Sequence, residues 1–247
     1  MGKGRKHWLL IADDEEAFSE VAARLIGTII SRHPHCVLAL PTGRTPMGMY
    51  DHLVAMYRRG SLDFSGVRVF NLDEFYGIPR RHASSYATYL RQRFLTRVNV
   101  RGENVHLLSA QTKDPVGECR RHEERIRDAG GIDVAVVGIG HNGHLAFNEP
   151  GSRFDSRTRP VQLSPECASQ VGWNQPGTPC NALTMGIGTI IDSRQVVLMA
   201  SGARKAEIVA RALSGEVTAA VPASVLQRHP HLTVILDQAA ARLIKGL

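Results

Sequence analysis

Short apolar runs alternate with amphipathic segments along most of the chain. The runs typical of buried strands lie at residues 7–12, 36–40, 67–71, 104–108, 132–137 and 195–200, with a last one that begins at 232. Between them, apolar residues recur at the spacing of a helix that packs on one face, as in Phe18, Val21, Ala22 and Leu25. Strands that alternate with helices in this way predict an α/β domain with a mainly parallel sheet.

A polar, glycine-rich loop follows the apolar run at residues 132–137. It reads GIGHNGHLAFNEP, and its polar side chains are His141, Asn142, His144, Asn148 and Glu149. Open α/β sheets bind ligands at the carboxyl ends of their strands, where this loop is expected to lie. Its glycines would let backbone amides approach a ligand closely. A glycine-rich turn with solvated polar residues is the alternative for this segment taken alone.

The turn after the second apolar run suits an anion. It consists of Thr42, Gly43, Arg44 and Thr45. A helix is expected to begin just after it, near Pro46, and the unpaired N–H groups of a helix N-terminus favour negative charge. A capped turn between strand and helix is the alternative.

Adjacent carboxylates, Asp73 and Glu74, follow the run at residues 67–71. Repulsion and partial burial would raise the pKa of one of them, as expected of a base that transfers protons. The alternative is a helix cap beside a solvated acid. Because parallel strands end at the same edge of a sheet, these carboxylates are expected near the glycine-rich loop.

Length and composition favour one globular domain. The 247 residues suffice for a large α/β domain, and a content of 43% hydrophobic and 21% charged residues is ordinary. The longest apolar runs are too short to cross a bilayer, so no membrane partner is expected. The cysteines show neither CxxC nor zinc-ligand spacing, which favours reduced thiols in the cytoplasm. They are Cys36, Cys119, Cys167 and Cys180.

The net charge narrows the class of partner. A formal charge of +7 favours anionic partners, but the basic residues are spread along the chain without a block. No RNA motif, helix-turn-helix or zinc-finger signature is recognisable, so nucleic acid is not an expected partner. The His-Pro-His segments at residues 33–35 and 229–231 lack a third ligand, so no metal site is expected. Charge alone does not choose among anionic partners, which include nucleic acids, acidic membranes and phosphorylated metabolites.

Four segments together resemble the glucosamine-6-phosphate deaminase family. They read LALPTGRTPMGMY, VFNLDEFYGIP, GIGHNGHLAFNEPGS and ALTMGIGTIIDS, and the resemblance extends from about residue 10 to about residue 236. The related 6-phosphogluconolactonases share the fold and a Gly-His loop, but their pattern does not continue into AFNEP. The resemblance implies a three-layer αβα Rossmann-like sandwich, with residues 1–247 as a single domain and a lid segment at about 152–180.

The resemblance also implies a reaction and the residues that carry it. Glucosamine 6-phosphate and water would become fructose 6-phosphate and ammonia, without an organic cofactor or a metal. His144 would open the sugar ring, oriented by Glu149 and Asn142, since an imidazole exchanges protons near neutral pH. Asp73 would be the base that moves the C2 proton to C1. The residues expected to bind the substrate phosphate are Thr42, Gly43, Arg44, Thr45 and Lys205.

Two positions depart from the family pattern. Asn142 stands where many members have an aspartate, and an amide orients a neighbour by hydrogen bonding but takes up no proton. Residues 164–178 correspond to a lid that supplies a phosphate-binding arginine in many members, and this chain has no arginine there. The preferred sugar phosphate differs, or another arginine compensates. The candidates are Arg44, Arg153, Arg157 and Arg159.

Other functions remain open on the sequence alone. A 6-phosphogluconolactonase or another sugar-phosphate isomerase would use a similar phosphate site and acid–base loop. A sugar-phosphate sensor without catalysis is the non-enzyme alternative, since bacterial transcriptional regulators use this fold to bind effectors. The combination of Asp73, His144 and Glu149 favours an enzyme. Association into a homo-oligomer is compatible with the sequence.

Overall fold

The computed structural model describes residues 6–78, 82–165 and 180–244. Its strands are β1 (Lys6–Ala12), β2 (Val37–Leu40), β3 (Arg68–Asn71), β4 (Asp73–Phe75), β5 (Val105–His106), β6 (Val134–Gly138), β7 (Arg159–Gln162), β8 (Asn181–Thr184), β9 (Gln195–Ala200) and β10 (His231–Asp237). Its helices are α1 (Glu15–Arg32), α2 (Met47–Arg58), α3 (Tyr86–Arg93), α4 (Pro115–Asp128), α5 (Ile187–Ile191), α6 (Ala206–Ser214) and α7 (Gln238–Ala241). Short 3-10 helices lie at Leu95–Arg97, Gly102–Asn104, Ala203–Lys205 and Pro222–Arg228.

Seven strands form the central sheet, in the order β1-β10-β9-β6-β2-β3-β5. Every neighbouring pair in this sheet is parallel. The predicted α/β fold with a mainly parallel sheet is therefore confirmed. The strand order reverses between β2 and β6, where adjacent loops diverge and leave the crevice that open α/β sheets use for ligands.

Helices cover both faces of the central sheet, as a three-layer sandwich requires. Side chains alternate between the faces along each strand, so that Val37 and Ala39 pack on one side while Leu38 and Leu40 pack on the other. The first face is covered by α4, α6 and α7, and the second by α1, α2 and α3. Strands buried on both faces are apolar throughout, which explains why the sequence predicted them well.

Side-chain caps fix the beginnings of several helices. Asp14 accepts a hydrogen bond from the Ala17 N–H at 2.8 Å at the start of α1, and Asp114 does the same for the Gly117 N–H at 2.9 Å in α4. Such caps satisfy amides that lack partners within the helix and are worth about 1 kcal/mol each. The helix expected near Pro46 begins at the next residue, with Pro46 as its N-cap.

A second sheet was not predicted from the sequence. It contains three antiparallel strands in the order β4-β8-β7 and lies beyond the carboxyl end of β3. Its register places Asp73 beside Thr184 and Thr184 beside Arg159, so these residues form one row across the sheet. The chain thus passes from the central sheet into the second sheet at Asp73.

One buried histidine makes stability depend on pH. The side chain of His122 is fully buried on α4, edge-on to Phe70 at 5.3 Å between ring centroids. Burial, assisted by the charge of Arg125, lowers the pKa of His122 to about 3. Below pH 6.5 the unfolded chain takes up a proton that the folded chain refuses, so stability is lost as pH falls from about 6.5 towards 3.

Replacing His122 by leucine is therefore expected to flatten the acid side of the stability profile. Between pH 7 and pH 5, this residue alone should cost the parent protein about 2 kcal/mol of unfolding free energy. Urea unfolding of parent and variant at both pH values measures the difference. Parallel losses in the two proteins would contradict the assignment.

Candidate active site

A cleft of about 260 Å³ lies at the carboxyl edge of the central sheet. Its walls come from the loops that follow β2, β3, β6 and β9, on both sides of the point where the strand order reverses. The sequence-predicted residues that line it are Thr42, Gly43, Arg44, Thr45, Asp73, His144 and Lys205. Residues up to 163 positions apart in the chain (Thr42 and Lys205) are therefore brought to one place, as the strand-end argument predicted.

The loop after β2 presents backbone N–H groups without acceptors. Within the described residues, the amides of Thr42, Gly43, Arg44 and Thr45 donate no hydrogen bond. Gly43 has a φ of 89°, a left-handed conformation that glycine adopts without strain. Gly43 and Arg44 are exposed, and Thr42 and Thr45 are half-buried, so these amides are available to a ligand in the cleft. Successive free amides of this kind form a nest that is suited to an anion.

The loop after β6 holds His144 through a hydrogen-bonded triad. Its Nδ1 lies 2.9 Å from Oδ1 of Asn142 and 3.2 Å from Oε1 of Glu149. Nδ2 of Asn142 donates to Oε2 of Glu149 at 2.8 Å, which fixes the orientation of the amide. Since both neighbours of Nδ1 are acceptors, Nδ1 carries the proton and Nε2 is left to exchange protons. Asn142 and Glu149 thus contact the Nδ1 side of the His144 ring and do not themselves line the cleft.

Gly140 lets the imidazole of His144 lie against the loop backbone. A Cβ atom at Gly140 would come within 2.2 Å of Cε1 of His144, a distance no side chain tolerates. The backbone is closed by a hydrogen bond from the Gly140 N–H to the His144 carbonyl at 3.0 Å. A side chain at this position would therefore displace the imidazole of His144 from the place it has here.

Asp73 is a buried carboxylic acid at the beginning of β4. It is 7% exposed, and burial together with the negative charge of Glu74 raises its pKa well above the ordinary value. The side chain of Asn71 donates to the Asp73 carbonyl at 2.7 Å and accepts from the Leu108 N–H at 2.8 Å, which holds this backbone in place. The expected rise in pKa beside an adjacent carboxylate is thus found at Asp73.

Glu74 points away from the cleft and caps α3. Its carboxylate accepts hydrogen bonds from the Tyr86 and Ala87 N–H groups at 2.8 Å and from the Ser85 hydroxyl at 2.9 Å. It is fully buried, so the alternative of a solvated acid is wrong for both carboxylates, whereas the helix cap is correct. The helix after β4 is thereby fixed to the strand that carries Asp73.

Lys205 reaches the cleft from the loop after β9. Its Nζ donates to the Ile139 carbonyl at 2.7 Å, and burial, with the nearby charge of Arg204, lowers its pKa. The carboxylate of Asp237 holds this loop from the end of β10 by accepting from the Ser201 hydroxyl and the Gly202 N–H, each at 2.8 Å. The lysine therefore stands on a firmly anchored turn.

Arg44 lines the cleft, whereas the other three candidate arginines make contacts elsewhere. Arg153 and Arg157 form ion pairs with Asp155 and Asp192 on the surface. Arg159 donates to Oδ1 of Asn148 at 2.7 Å and to the Ser152 hydroxyl at 3.3 Å. Of the four candidates, only Arg44 is placed to contact a ligand in the cleft. The part of the expected lid at residues 166–179 lies outside the described residues.

An aromatic wall of the cleft was not predicted from the sequence. Tyr86 and Phe147 line it, with their rings stacked at 5.7 Å between centroids and 16° between planes. Phe147 belongs to the AFNEP segment, so its aromatic ring in that motif was the available signal, whereas Tyr86 lies in the first turn of α3, outside the motifs. His141 also lines the cleft, at its exposed rim.

Among the side chains described, no group of three or more His, Cys, Asp or Glu residues is arranged to hold a metal ion. None of the helices in residues 6–78, 82–165 and 180–244 combines the length and apolar character needed to cross a membrane.

Comparison with known proteins identifies the family. The sequence profile of the glucosamine-6-phosphate isomerases/6-phosphogluconolactonase matches residues 12–235. Glucosamine-6-phosphate deaminase of Alkaliphilus metalliredigens is 43% identical over 240 residues, covering 96% of this chain and 99% of its own. Glucosamine-6-phosphate deaminase 2 of Giardia intestinalis is 45% identical over 224 residues, covering 89% of this chain and 85% of its own.

Solved structures agree with this assignment. A monomeric glucosamine-6-phosphate deaminase superposes with a TM-score of 0.91 at 35% identity, covering 96% of this chain and 100% of its own. A 6-phosphogluconolactonase from Trypanosoma cruzi gives a TM-score of 0.79 at 21% identity over 98% of each chain, which shows the shared fold. The chain belongs to the family of glucosamine-6-phosphate isomerases and 6-phosphogluconolactonases.

Proposed function

We propose that this protein is an enzyme of amino-sugar metabolism that converts glucosamine 6-phosphate and water into fructose 6-phosphate and ammonia. The observation that carries the proposal is that Asp73 and His144 line one cleft together with the unpaired amides of residues 42–45. A base, an acid–base imidazole and an anion site are the parts that this reaction needs. The deaminases at 38–45% identity support the same substrate.

His144 opens the sugar ring in this proposal. Ring opening moves a proton from the anomeric hydroxyl to the ring oxygen, and Nε2 of His144 takes up and returns that proton. The imidazolium that forms in between is stabilised by Glu149, 3.2 Å from Nδ1. Asn142 completes the triad as a fixed hydrogen-bonding partner, since its amide takes up no proton.

Asp73 then isomerises the open chain. Its carboxylate removes the proton from C2 of the aldehyde, giving an enolamine between C1 and C2, and returns a proton to C1. The resulting C2 iminium takes up water and releases ammonia, which leaves the C2 ketone of fructose 6-phosphate. The raised pKa of Asp73 makes its carboxylate a stronger base than a solvated one, as proton abstraction from carbon requires.

The substrate phosphate lies against the loop after β2 in this proposal. The free amides of residues 42–45 donate to its oxygens, and Lys205 and Arg44 supply positive charge. Fixing the phosphate positions C1 and C2 between the base and the imidazole, which lowers the entropic part of the barrier.

Release of ammonia tests the proposed reaction. A coupled ammonia assay with the 6-phosphates of glucosamine, galactosamine and N-acetylglucosamine is expected to give turnover with glucosamine 6-phosphate. The N-acetylated sugar should be inert, because its nitrogen is acylated. If none of the three releases ammonia, the proposed reaction is wrong, and hydrolysis of 6-phosphogluconolactone by the same preparation would identify the lactonase alternative.

We infer a reducing compartment, the cytoplasm, as the site of this activity. The thiols of Cys36, Cys119 and Cys180 are buried and unpaired, and burial raises the pKa of Cys36 to about 12. Reduced, unreactive cysteines of this kind are typical of proteins from such compartments.

The base, the imidazole and the anion loop all come from one chain, so we propose that a single subunit is active whether or not copies associate.

A further inference from the structure

Two tyrosine hydroxyls hold the carbonyl groups of the loop after β2. The hydroxyl of Tyr50, on α2, donates to the Pro41 carbonyl at 2.6 Å. The hydroxyl of Tyr89, on α3, donates to the Gly43 carbonyl at 2.5 Å. Neither tyrosine lines the cleft, so both act on the loop from behind.

The hydrogen bond from the Tyr89 hydroxyl fixes the peptide between Gly43 and Arg44, whose N–H is one of the free amides of the loop. In a trans peptide the carbonyl oxygen and the next N–H point in opposite directions, so drawing the Gly43 oxygen towards Tyr89 turns the Arg44 N–H away from it. Gly43, at a φ of 89°, has the freedom to let this peptide flip, and no neighbouring atom would obstruct a Cβ there. A flipped peptide would present an oxygen where the anion needs a donor.

The helix that carries Tyr89 is itself fixed to the strand that carries Asp73. Glu74, next to Asp73, binds the first turn of α3 through its carboxylate. Burial raises the pKa of Tyr89 to about 12, which keeps its hydroxyl protonated as a donor at neutral pH. A continuous set of contacts therefore runs from the strand of the base, through α3, to the peptide between Gly43 and Arg44.

From this geometry we infer that Tyr89 is a positioning residue for phosphate. Its hydroxyl sets the direction of the Arg44 amide and, through α3 and Glu74, holds the anion loop at a fixed place relative to Asp73. The inference rests on the proposed function in assigning phosphate to this loop. Tyr50 differs, because it is fully buried and stacked on Phe94 at 5.2 Å, so its removal would disturb the core as well as the loop.

The substitution Tyr89→Phe tests this role by removing one hydroxyl. Inorganic phosphate is the probe, measured as an inhibitor of ammonia release and, independently, by the rise in melting temperature that it causes in each variant. Tyr57→Phe is the matched control, since Tyr57 is also half-buried and packs on Phe64, and no hydrogen bond of its hydroxyl is found within the described residues.

Phosphate binding is expected to weaken about fivefold in Tyr89→Phe, the factor that corresponds to one hydrogen bond of about 1 kcal/mol. KM for the sugar phosphate should rise by a similar factor while kcat stays within about twofold, because the base and the imidazole are untouched. The control should match the parent protein.

Unchanged phosphate affinity in Tyr89→Phe, or an equal loss in Tyr57→Phe, would overturn the inference. A fall in kcat with unchanged KM would overturn it as well, since the tyrosine would then act on the chemical step. If the parent protein releases no ammonia, the proposed function fails, but the melting-temperature shifts with phosphate still decide the role of Tyr89.

Discussion

Replacing Asp73 by asparagine is expected to lower turnover of glucosamine 6-phosphate by about 10²–10⁴-fold, the usual contribution of a positioned base. The amide has the same shape but takes no proton from C2. Because Asp73 is buried with a raised pKa, removing its charge relieves a repulsion with Glu74, and the fold should be retained or slightly stabilised. Steady-state ammonia release measures the rate, and thermal melting measures the fold.

Proton exchange separates the role of Asp73 from an indirect effect. In deuterated water the parent enzyme should introduce deuterium at C1 of the product. In Asp73→Asn, proton removal from C2 should limit the rate at which the residual product forms. Asp155→Asn is the matched control, since Asp155 is an exposed carboxylate that pairs with Arg153 on the surface. Unchanged turnover in a folded Asp73→Asn protein would refute the assignment of the base.

Replacing Lys205 by alanine is expected to raise KM for the phosphorylated sugar by about 30-fold or more, the factor for about 2 kcal/mol. A lysine whose pKa is already lowered by burial gains most from a dianion, which restores a favourable environment for its charge. The anchored turn around Gly202 should keep its shape, because Asp237 rather than Lys205 holds it.

Comparison with unphosphorylated glucosamine shows whether the effect belongs to phosphate. Its poor turnover should be the same in Lys205→Ala and in the parent protein, since no phosphate contact is lost. Lys113→Ala, at an exposed position remote from the cleft, should leave both substrates unaffected. An equal loss for both sugars in Lys205→Ala would point to a disturbed fold and remove the phosphate assignment.

The central sheet was predictable because its inner strands are buried on both faces and therefore apolar in sequence. The convergence of the site followed from one rule, that parallel strands end at the same edge. Asp73, His144 and Lys205 each follow such a strand, so their meeting at one cleft was expected. The predicted strand at residues 104–108 proved shorter, because only Val105 and His106 pair with β3.

The second sheet and the contacts of Glu74 and Tyr89 were not predictable from the sequence, because each depends on residues that lie far apart in the chain or in different elements. β4 has only three residues, DEF, and Thr184, the partner of Asp73, lies 111 residues further along the chain, so no periodicity reveals the second sheet. The burial of Glu74 was equally hidden, since its donors become available only when α3 packs beside β4. The contact from Tyr89 to Gly43 likewise joins α3 to the loop after β2 only in the folded chain.

The row formed by Asp73, Thr184 and Arg159 gives the strand of the base and the loop of the imidazole a second connection, in addition to the one through the central sheet. The Thr184 hydroxyl, on β8, accepts a hydrogen bond from the Phe147 N–H at 3.1 Å, and Arg159, on β7, donates one to Asn148. These two strands therefore bind the loop that carries His144, while β4, beside β8, carries Asp73. Substitutions in the hydrophobic core away from these strands are thus expected to lower the melting temperature with little change in the turnover rate. A shift of one residue in the register between β7 and β8 would place the side chains of the shifted strand on the opposite face of the sheet. Such a protein is expected to fold but to lose its activity.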